Sequence, residues 1–249
     1  MPKFFVTNNN IKNNKIRIIG EDVNHIKNVL RKKLGDQIII CNIDITYDYL
    51  CEIIKLGEEE IQCNILQKLG TNSESNIKVS IWQGLPKADK MELVIQKAVE
   101  LGVYDITPVE MKRCVVKLTE KDKIRKLQRW QKIAEVAAKQ SGRNRIPKIN
   151  DLISIKNICH LCMEYDIVIV AYEKEEQNKL KYELQKVKEK KVSDLKIAIL
   201  IGPEGGIDEQ EIHMLKESGS KTVTLGNRIL RTETVALNIL SNIMYEFET

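Results

Sequence analysis

The chain has 249 residues, 43% of them hydrophobic, and a formal net charge of +5, which is enough apolar content for one large domain or two small ones and excludes a disordered polymer. No apolar run approaches the roughly 18 residues needed to span a bilayer, and the opening MPKFFVTNNN lacks the apolar core of a secretory signal, so a soluble, cytoplasmic protein without membrane contact is expected. Six irregularly spaced cysteines then read as reduced thiols rather than a disulfide framework.

The first 70 residues read as a small β-rich unit. Residues 3–6 (KFFV), 16–19 (IRII), 37–42 (QIIICN), 49–56 (YLCEIIKL) and 60–69 (EIQCNILQKL) combine β-branched residues with short turns. Between them, residues 21–34 place Val23, Ile26, Val29, Leu30 and Leu34 near helical spacing, with Gly35 and Asp36 as the stop. Cys41, Cys51 and Cys63 fall in the strand-like runs as small core residues. Residues 71–76 (TNSESN) hold no large apolar side chain and read as the domain boundary.

From residue 77 onward the pattern changes. Apolar runs at 77–82, 104–109, 166–172, 196–202 and 221–225 alternate with helix-period segments at 89–101, 120–141, 155–163, 178–190, 208–218 and 232–247, the signature of βαβ units around a parallel sheet. Gly102 and Gly219 follow their helices, and Asp208 with Glu211 forms a capping pair. Cys159 and Cys162 could share a helix face, but no second ligand pair follows at zinc spacing, so no metal is assigned. The lysine and glutamate run 173–191 reads as a solvated helix without chemistry.

Positive charge is concentrated. Residues 112–148 carry 13 Lys or Arg against 3 acids, and residues 1–35 carry 8 against 2. Such clustering suits a polyanion, whose counterions are released by Lys and Arg, although for one basic helix alone a solvated face is the better reading.

Ligands of open α/β sheets bind beyond the carboxyl ends of strands. The run 196–202 ends in one such loop, Gly202-Pro203-Glu204-Gly205-Gly206, where paired glycines allow close backbone approach to a ligand. Its spacing matches neither a dinucleotide fingerprint nor a P-loop, which argues against a nicotinamide enzyme or nucleotide hydrolase. Alone it is equally a tight structural turn. The second segment, Leu225 to Arg231, sets Arg228 and Arg231 among Leu225, Ile229 and Leu230, with Thr232 able to cap the final helix. Both arginines could equally pair with surface acids.

Taken together, IGPEGGI (201–207) and LGNRILRTETVAL (225–237), with HIKNVLRKKLGD (25–36), LPKADKMELVIQKAVELGV (85–103) and RWQKIAEVAAKQSGRNRIP (129–147), closely resemble the RsmE family of SPOUT methyltransferases, enzymes acting on N3 of a uracil in 16S ribosomal RNA. The resemblance covers essentially the whole chain. Departures are small: Lys139 stands where an acid is common, and Val235 where alanine often follows.

This resemblance implies an α/β chain in which an N-terminal PUA-like β-barrel RNA-binding domain (1–70) and a linker (71–76) precede a C-terminal SPOUT trefoil-knot methyltransferase domain (77–249). It implies S-adenosylmethionine as cofactor, held by Gly202, Glu204, Gly205 and Gly206 on one side and by Leu225, Gly226, Ile229, Leu230 and Thr232 on the other. It also implies a homodimer, for which the apolar stripe Leu237, Leu240, Met244 and Phe247 is independent support; packing of that stripe on its own sheet is the other reading. The partner implied is 16S ribosomal RNA, within the small subunit.

Uracil N3 attacks only as its proton leaves, so cationic donors aimed at the uracil oxygens are expected. Arg231 is the first candidate, followed by Arg143 and Arg228, with Glu233 as a proton acceptor. No histidine falls in the C-terminal motifs, and His25 reads as structural. Arg31, Lys32, Lys33, Arg113 and Arg129 are the candidate RNA contacts. The rivals are another SPOUT enzyme acting on transfer RNA or a ribose hydroxyl, and a non-catalytic RNA-binding knot protein. Intact glycines in the first loop argue against the latter.

Overall fold

The structure is a computed structural model that describes residues 3–70, 73–190 and 194–248. Its contacts divide it into two compact units, Met1–Glu74 with Ala138–Ile146, and Ser75–Ala137 with Pro147–Thr249.

The first unit holds β1 (Lys3–Val6), β2 (Ile11–Lys12), β3 (Lys15–Ile19), the single helical turn α1 (Glu21–Asn24), β4 (Gln37–Asn42), β5 (Tyr47–Leu56) and β6 (Glu60–Lys68). They form a six-stranded half-barrel in the order β1-β4-β5-β6-β3-β2. β1 runs parallel to β4, and the remaining pairs are antiparallel. In β3 burial alternates strictly, with Ile16 and Ile18 inside, because successive side chains of a strand face opposite ways. They meet Phe4, Ile26, Ile38, Ile40, Ile53 and Ile61 in one core.

The helix expected over residues 21–34 is shorter. After α1 the chain makes a π-turn over His25–Val29, closed by Leu30 N–H on the His25 carbonyl, and Arg31 turns left-handed at φ 49°. Val23 and Ile26 are buried but Val29 and Leu34 are exposed. Beyond Ile26 the helix has little left to bury, and tertiary packing, not propensity, sustains short helices.

The segment 138–146 belongs to this unit, whereas the expected boundary assigned everything after residue 76 to the second. Polar burial holds it there. Asn144, fully buried, donates to Asp48 Oδ1 at 2.8 Å and accepts from Ser73 Oγ at 2.7 Å, and Lys3 Nζ reaches the Gly142 carbonyl at 2.8 Å and Asp48 at 2.7 Å. Ser73 and Glu74 of the expected linker are therefore anchored; residues 71 and 72 lie outside the described residues. Lys139, the departure from the family pattern, pairs with Asp22 at 2.8 Å.

The second unit runs β7 (Lys78–Gly84), α2 (Lys90–Glu100), β8 (Asp105–Glu110), most of α3 (Glu120–Gln140), β9 (Lys148–Ile149), β10 (Ile153–Ser154), α4 (Ile155–Leu161), β11 (Ile167–Ala171), α5 (Leu180–Glu189), β12 (Lys196–Ile201), α6 (Glu209–Glu217), β13 (Lys221–Val223) and α7 (Thr232–Glu248). Its sheet is parallel, in the order β10-β8-β7-β12-β11-β13 with β9 beside β8. The continuous apolar burial of β12 reflects a strand covered on both faces. α7 packs on β7 and β12 beside α2 and α5, burying Leu240 and Met244 of its stripe. Asp208 caps α6 reciprocally with Glu211. Among the described residues no helix is long and apolar enough to cross a membrane. All six cysteines are free thiols, five of them buried.

Register sets the strand ends level. Ile201 pairs with Gln83 and with Ala171, and Ala171 pairs with Val223. The loops that follow β7, β11, β12 and β13 therefore leave the sheet from one edge.

Candidate functional site

Three of those loops, the first turn of α2, the start of α5 and one face of α7 line a cavity of about 1480 Å³. The loops contribute the glycine loop, residues 223–232, and Tyr172, Glu173, Glu175 and Glu176 after β11. The last stretch begins the lysine and glutamate run to which no chemistry was assigned. The helix there starts only at Leu180, so the preceding acids stand at a strand end instead of on a solvated helix.

The glycine loop needs its glycines. A β-carbon on Gly202 would lie 2.7 Å from Ile207 Cγ1, and one on Gly205 3.1 Å from the Arg113 carbonyl oxygen. Gly206, at φ 71°, donates its N–H to the Pro203 carbonyl at 2.9 Å, and a β-carbon there would meet Glu173 Oε1 at 2.5 Å. The turn is thus left-handed at its last residue and packed on every glycine, which brings peptide groups bare to the cavity.

Glu204 is bridged. Lys90 Nζ lies 3.0 Å from its Oε1 and 3.4 Å from Glu233 Oε2, and the Lys87 N–H adds a hydrogen bond at 3.1 Å. Burial opposes the charged form of Glu204, but backbone N–H groups of Glu204 and Lys87 and the Lys90 ammonium outweigh it and hold the carboxyl below its ordinary range. The hydrogen bond that Lys90 donates to Glu204 in turn raises Lys90 above the usual lysine value. Lys90 joins α2, the glycine loop and α7; its place in the 85–103 motif was the only sequence signal for it.

The second loop is tied to the first from within. Thr232 Oγ1 donates to the Gly202 carbonyl at 2.7 Å and accepts from Gln83 Nε2 at 2.9 Å, all three groups buried. Thr232, expected to contact cofactor, thus uses its hydroxyl to hold the two loops together. Leu225 and Leu230 are half-buried, Gly226 adopts φ 100°, and Ile229 is 92% exposed at the cavity wall.

Arg228 and Arg231 line the cavity, both exposed, and among the described residues neither guanidinium has an ion pair or side-chain hydrogen bond. Pairing with surface acids, the alternative left open by the sequence, is not what the structure has. Glu233 instead faces a small hollow with Leu93 and Leu101. Arg143 is not a cavity residue: it lies in the first unit, 5% exposed, its guanidinium ion-paired with Glu74.

The candidate RNA contacts fall on both units. Arg31 and Lys33 are exposed and Lys32 half-buried on the first unit, while in the second Arg129 pairs with Glu92 at 2.8 Å. Arg113 rests on the glycine loop, its Nη1 3.3 Å from the Gly205 carbonyl and its Nη2 3.6 Å from Asp208. Cys162 of the cysteine pair is buried against the Ile158 carbonyl and Ser220. His25 stacks edge-on against Phe4 in the first unit.

Comparison with known proteins bears directly on this cavity. An RNA methyltransferase domain model matches residues 73–244, and an RNA methyltransferase PUA domain model matches residues 18–66. The chain is 39% identical to ribosomal RNA small subunit methyltransferase E of Bacillus subtilis (strain 168), over 93% of this chain and 90% of that protein. It is 32% identical to the protein of that name from Mesomycoplasma hyopneumoniae (strain 232), over 97% and 98%. Among solved structures it is similar to a ribosomal RNA small subunit methyltransferase E from Neisseria gonorrhoeae bound to S-adenosyl methionine, with 29% identity, a TM-score of 0.84 and 98% and 97% of the two chains covered. A Legionella pneumophila protein in complex with the bound cofactor SAM gives 27% identity and a TM-score of 0.86 over 98% and 96%. From its N-terminal half-barrel to the paired loops of its parallel sheet, this chain belongs to the ribosomal RNA small subunit methyltransferase E family of RNA methyltransferases.

Proposed function

We propose that this protein methylates N3 of a uridine in 16S ribosomal RNA, using S-adenosylmethionine bound in the cavity between the glycine loop and residues 224–232. The observation that carries the reading is the pairing of those two loops at one sheet edge with two cationic side chains, Arg228 and Arg231, that have no ion-pair or side-chain hydrogen-bond partner among the described residues. The residues suit the cofactor: bare peptide groups of residues 202–206 can meet the edge of an adenine, Leu225, Ile229 and Leu230 can cover its faces, and about 1480 Å³ leaves room for a target base beside it.

When bound, S-adenosylmethionine supplies a methyl group already activated by its sulfonium, so positioning accounts for much of the acceleration. Arg231, assisted by Arg228, holds the negative charge that develops on the uracil oxygens as N3 loses its proton. No histidine is among the cavity residues, and Glu233, whose Oε2 lies 3.4 Å from the cavity residue Lys90, is the candidate acceptor of that proton. Arg31, Lys32 and Lys33 on the PUA-like unit, with Arg113 and Arg129, contact RNA phosphates. The protein acts in the cytoplasm as a homodimer, and Leu237, half-buried in the hollow beside Leu93 and Leu101, belongs to the surface that pairs.

The deciding experiment is mass spectrometry of 16S ribosomal RNA from cells lacking the protein and from cells complemented with it. Loss of one N3-methyluridine, restored by the gene, is the expected result. Retention of every methyluridine overturns the reading, and loss of a ribose methyl or a transfer RNA mark instead would move the activity to another branch of the superfamily.

A further inference from the structure

The acids that line the cavity differ in whether the protein already occupies them. Glu204 is taken by Lys90 and the Lys87 N–H. Glu175 accepts from Thr222 Oγ1 at 2.7 Å and from the N–H groups of Gln177 and Asn178, and Glu246 is paired with Lys188 at 2.9 Å. Glu173 and Glu176 have no hydrogen-bond or ion-pair partner among the described residues. Of these two only Glu173 reaches the glycine loop, where its Oε1 occupies the space a β-carbon of Gly206 would need. It stands two residues past the end of β11, whose Ala171 lies abreast of Ile201. A rigid strand, not a wandering loop, therefore delivers this carboxylate to the cavity. Of the cations near it, Lys174 pairs with Glu209 at 2.6 Å and Arg113 contacts Gly205 and Asp208, while Arg228 and Arg231 line the same cavity without forming an ion pair with it.

A carboxylate held in a concave site with no ion-pair partner among the described residues attracts a cation. We propose that Glu173 is a cofactor-contacting residue that recognises a cationic group of the methyl donor, and so contributes to its selection. The proposal rests on the cofactor reading above. S-adenosylmethionine carries two such groups, an ammonium and a sulfonium. Methyl transfer converts the sulfonium to a neutral thioether and leaves the ammonium unchanged, so the product S-adenosylhomocysteine separates the two.

The test is calorimetric titration of the full-length protein and its Glu173→Gln variant with S-adenosylmethionine, S-adenosylhomocysteine and 5′-methylthioadenosine, the last of which has neither cation. Glutamine keeps the size of the side chain and its place beside Gly206 while removing the charge. Affinity for S-adenosylmethionine should fall roughly fivefold or more, that for methylthioadenosine should not move, and Glu176→Gln should leave all three unchanged. A parallel fall for S-adenosylhomocysteine assigns the contact to the ammonium, and an unchanged value assigns it to the sulfonium. Unaltered binding of S-adenosylmethionine by Glu173→Gln, or an equal loss for methylthioadenosine, overturns the proposal. Absence of S-adenosylmethionine binding by the wild-type protein would instead remove the cofactor reading on which it rests.

Discussion

The hydroxyl of Thr232 donates a 2.7 Å hydrogen bond to the carbonyl of Gly202, thirty residues earlier in the chain. One side chain thereby fixes the start of the last helix to the start of the glycine loop, and Gln83 from the neighbouring strand holds that hydroxyl in turn. Thr232→Val keeps the shape and removes both bonds, leaving a buried carbonyl and a buried amide N–H short of a partner. A loss of about 1–3 kcal/mol in unfolding free energy is expected, with weaker cofactor binding, whereas Thr232→Ser retains both. Denaturant melts and calorimetry on the pair of variants check this, and an unweakened Thr232→Val would show that the loops hold their places without the tie.

Gly206→Ala meets two obstacles together, a left-handed backbone at φ 71° and the Glu173 carboxylate 2.5 Å from the new carbon. The backbone term alone costs about 1–2 kcal/mol, and relief requires the loop to move. We expect cofactor affinity to drop by roughly tenfold or more while the circular dichroism spectrum stays native. Native affinity in the alanine variant would mean that the loop is not the cofactor wall.

Arg231→Ala should leave cofactor affinity nearly unchanged and lower the single-turnover methylation rate by roughly 100-fold, the scale found for loss of one donor to a developing anion. Arg228→Ala should act in the same direction with a smaller effect. Undiminished turnover removes Arg231 from the mechanism.

In the first unit, Lys3 and Asp48 form an ion pair with side chains only 7% and 4% exposed. Lys3→Met takes the ammonium from a buried carboxylate, which costs about 3–5 kcal/mol. The double variant Lys3→Met, Asp48→Asn should recover part of that loss, since neither charge is then buried alone. Equal stability of Lys3→Met and wild type in urea titrations would contradict this account.

Burial pushes the thiols of Cys41, Cys51 and Cys63 from 9.0 to about 12. Their native state holds protons more tightly than the unfolded chain does, so their contribution to stability is complete below about pH 9 and is lost as pH rises from there toward about 12. Urea midpoints should therefore decline above pH 9, and the double variant Cys51→Val, Cys63→Val should decline less steeply. Identical slopes would discount these two thiols.

Alternation of apolar residues made the strands of both units legible, because burial of one face imposes a period of two and burial of both a continuous run. Helix lengths were less so. The turn after Val23 shortened once Val29 and Leu34 found nothing to pack on, and α5 begins only at Leu180, which released Glu173 from the solvated helix expected there. Periodicity records that a face is buried, not what buries it.

What the sequence by itself determined was the succession of elements, the glycine loop at a strand end, and the second loop with its two arginines. Tertiary structure decided which of these meet. Parallel pairing with Gln83, Ile201, Ala171 and Val223 abreast brings loops from distant parts of the chain to one edge, and non-local pairing leaves no mark on local pattern. It also sent Arg143 to Glu74, 69 residues away, and made Lys90 the bridge between Glu204 and Glu233. A charged side chain specifies that it needs a partner or water, and only the folded chain specifies which.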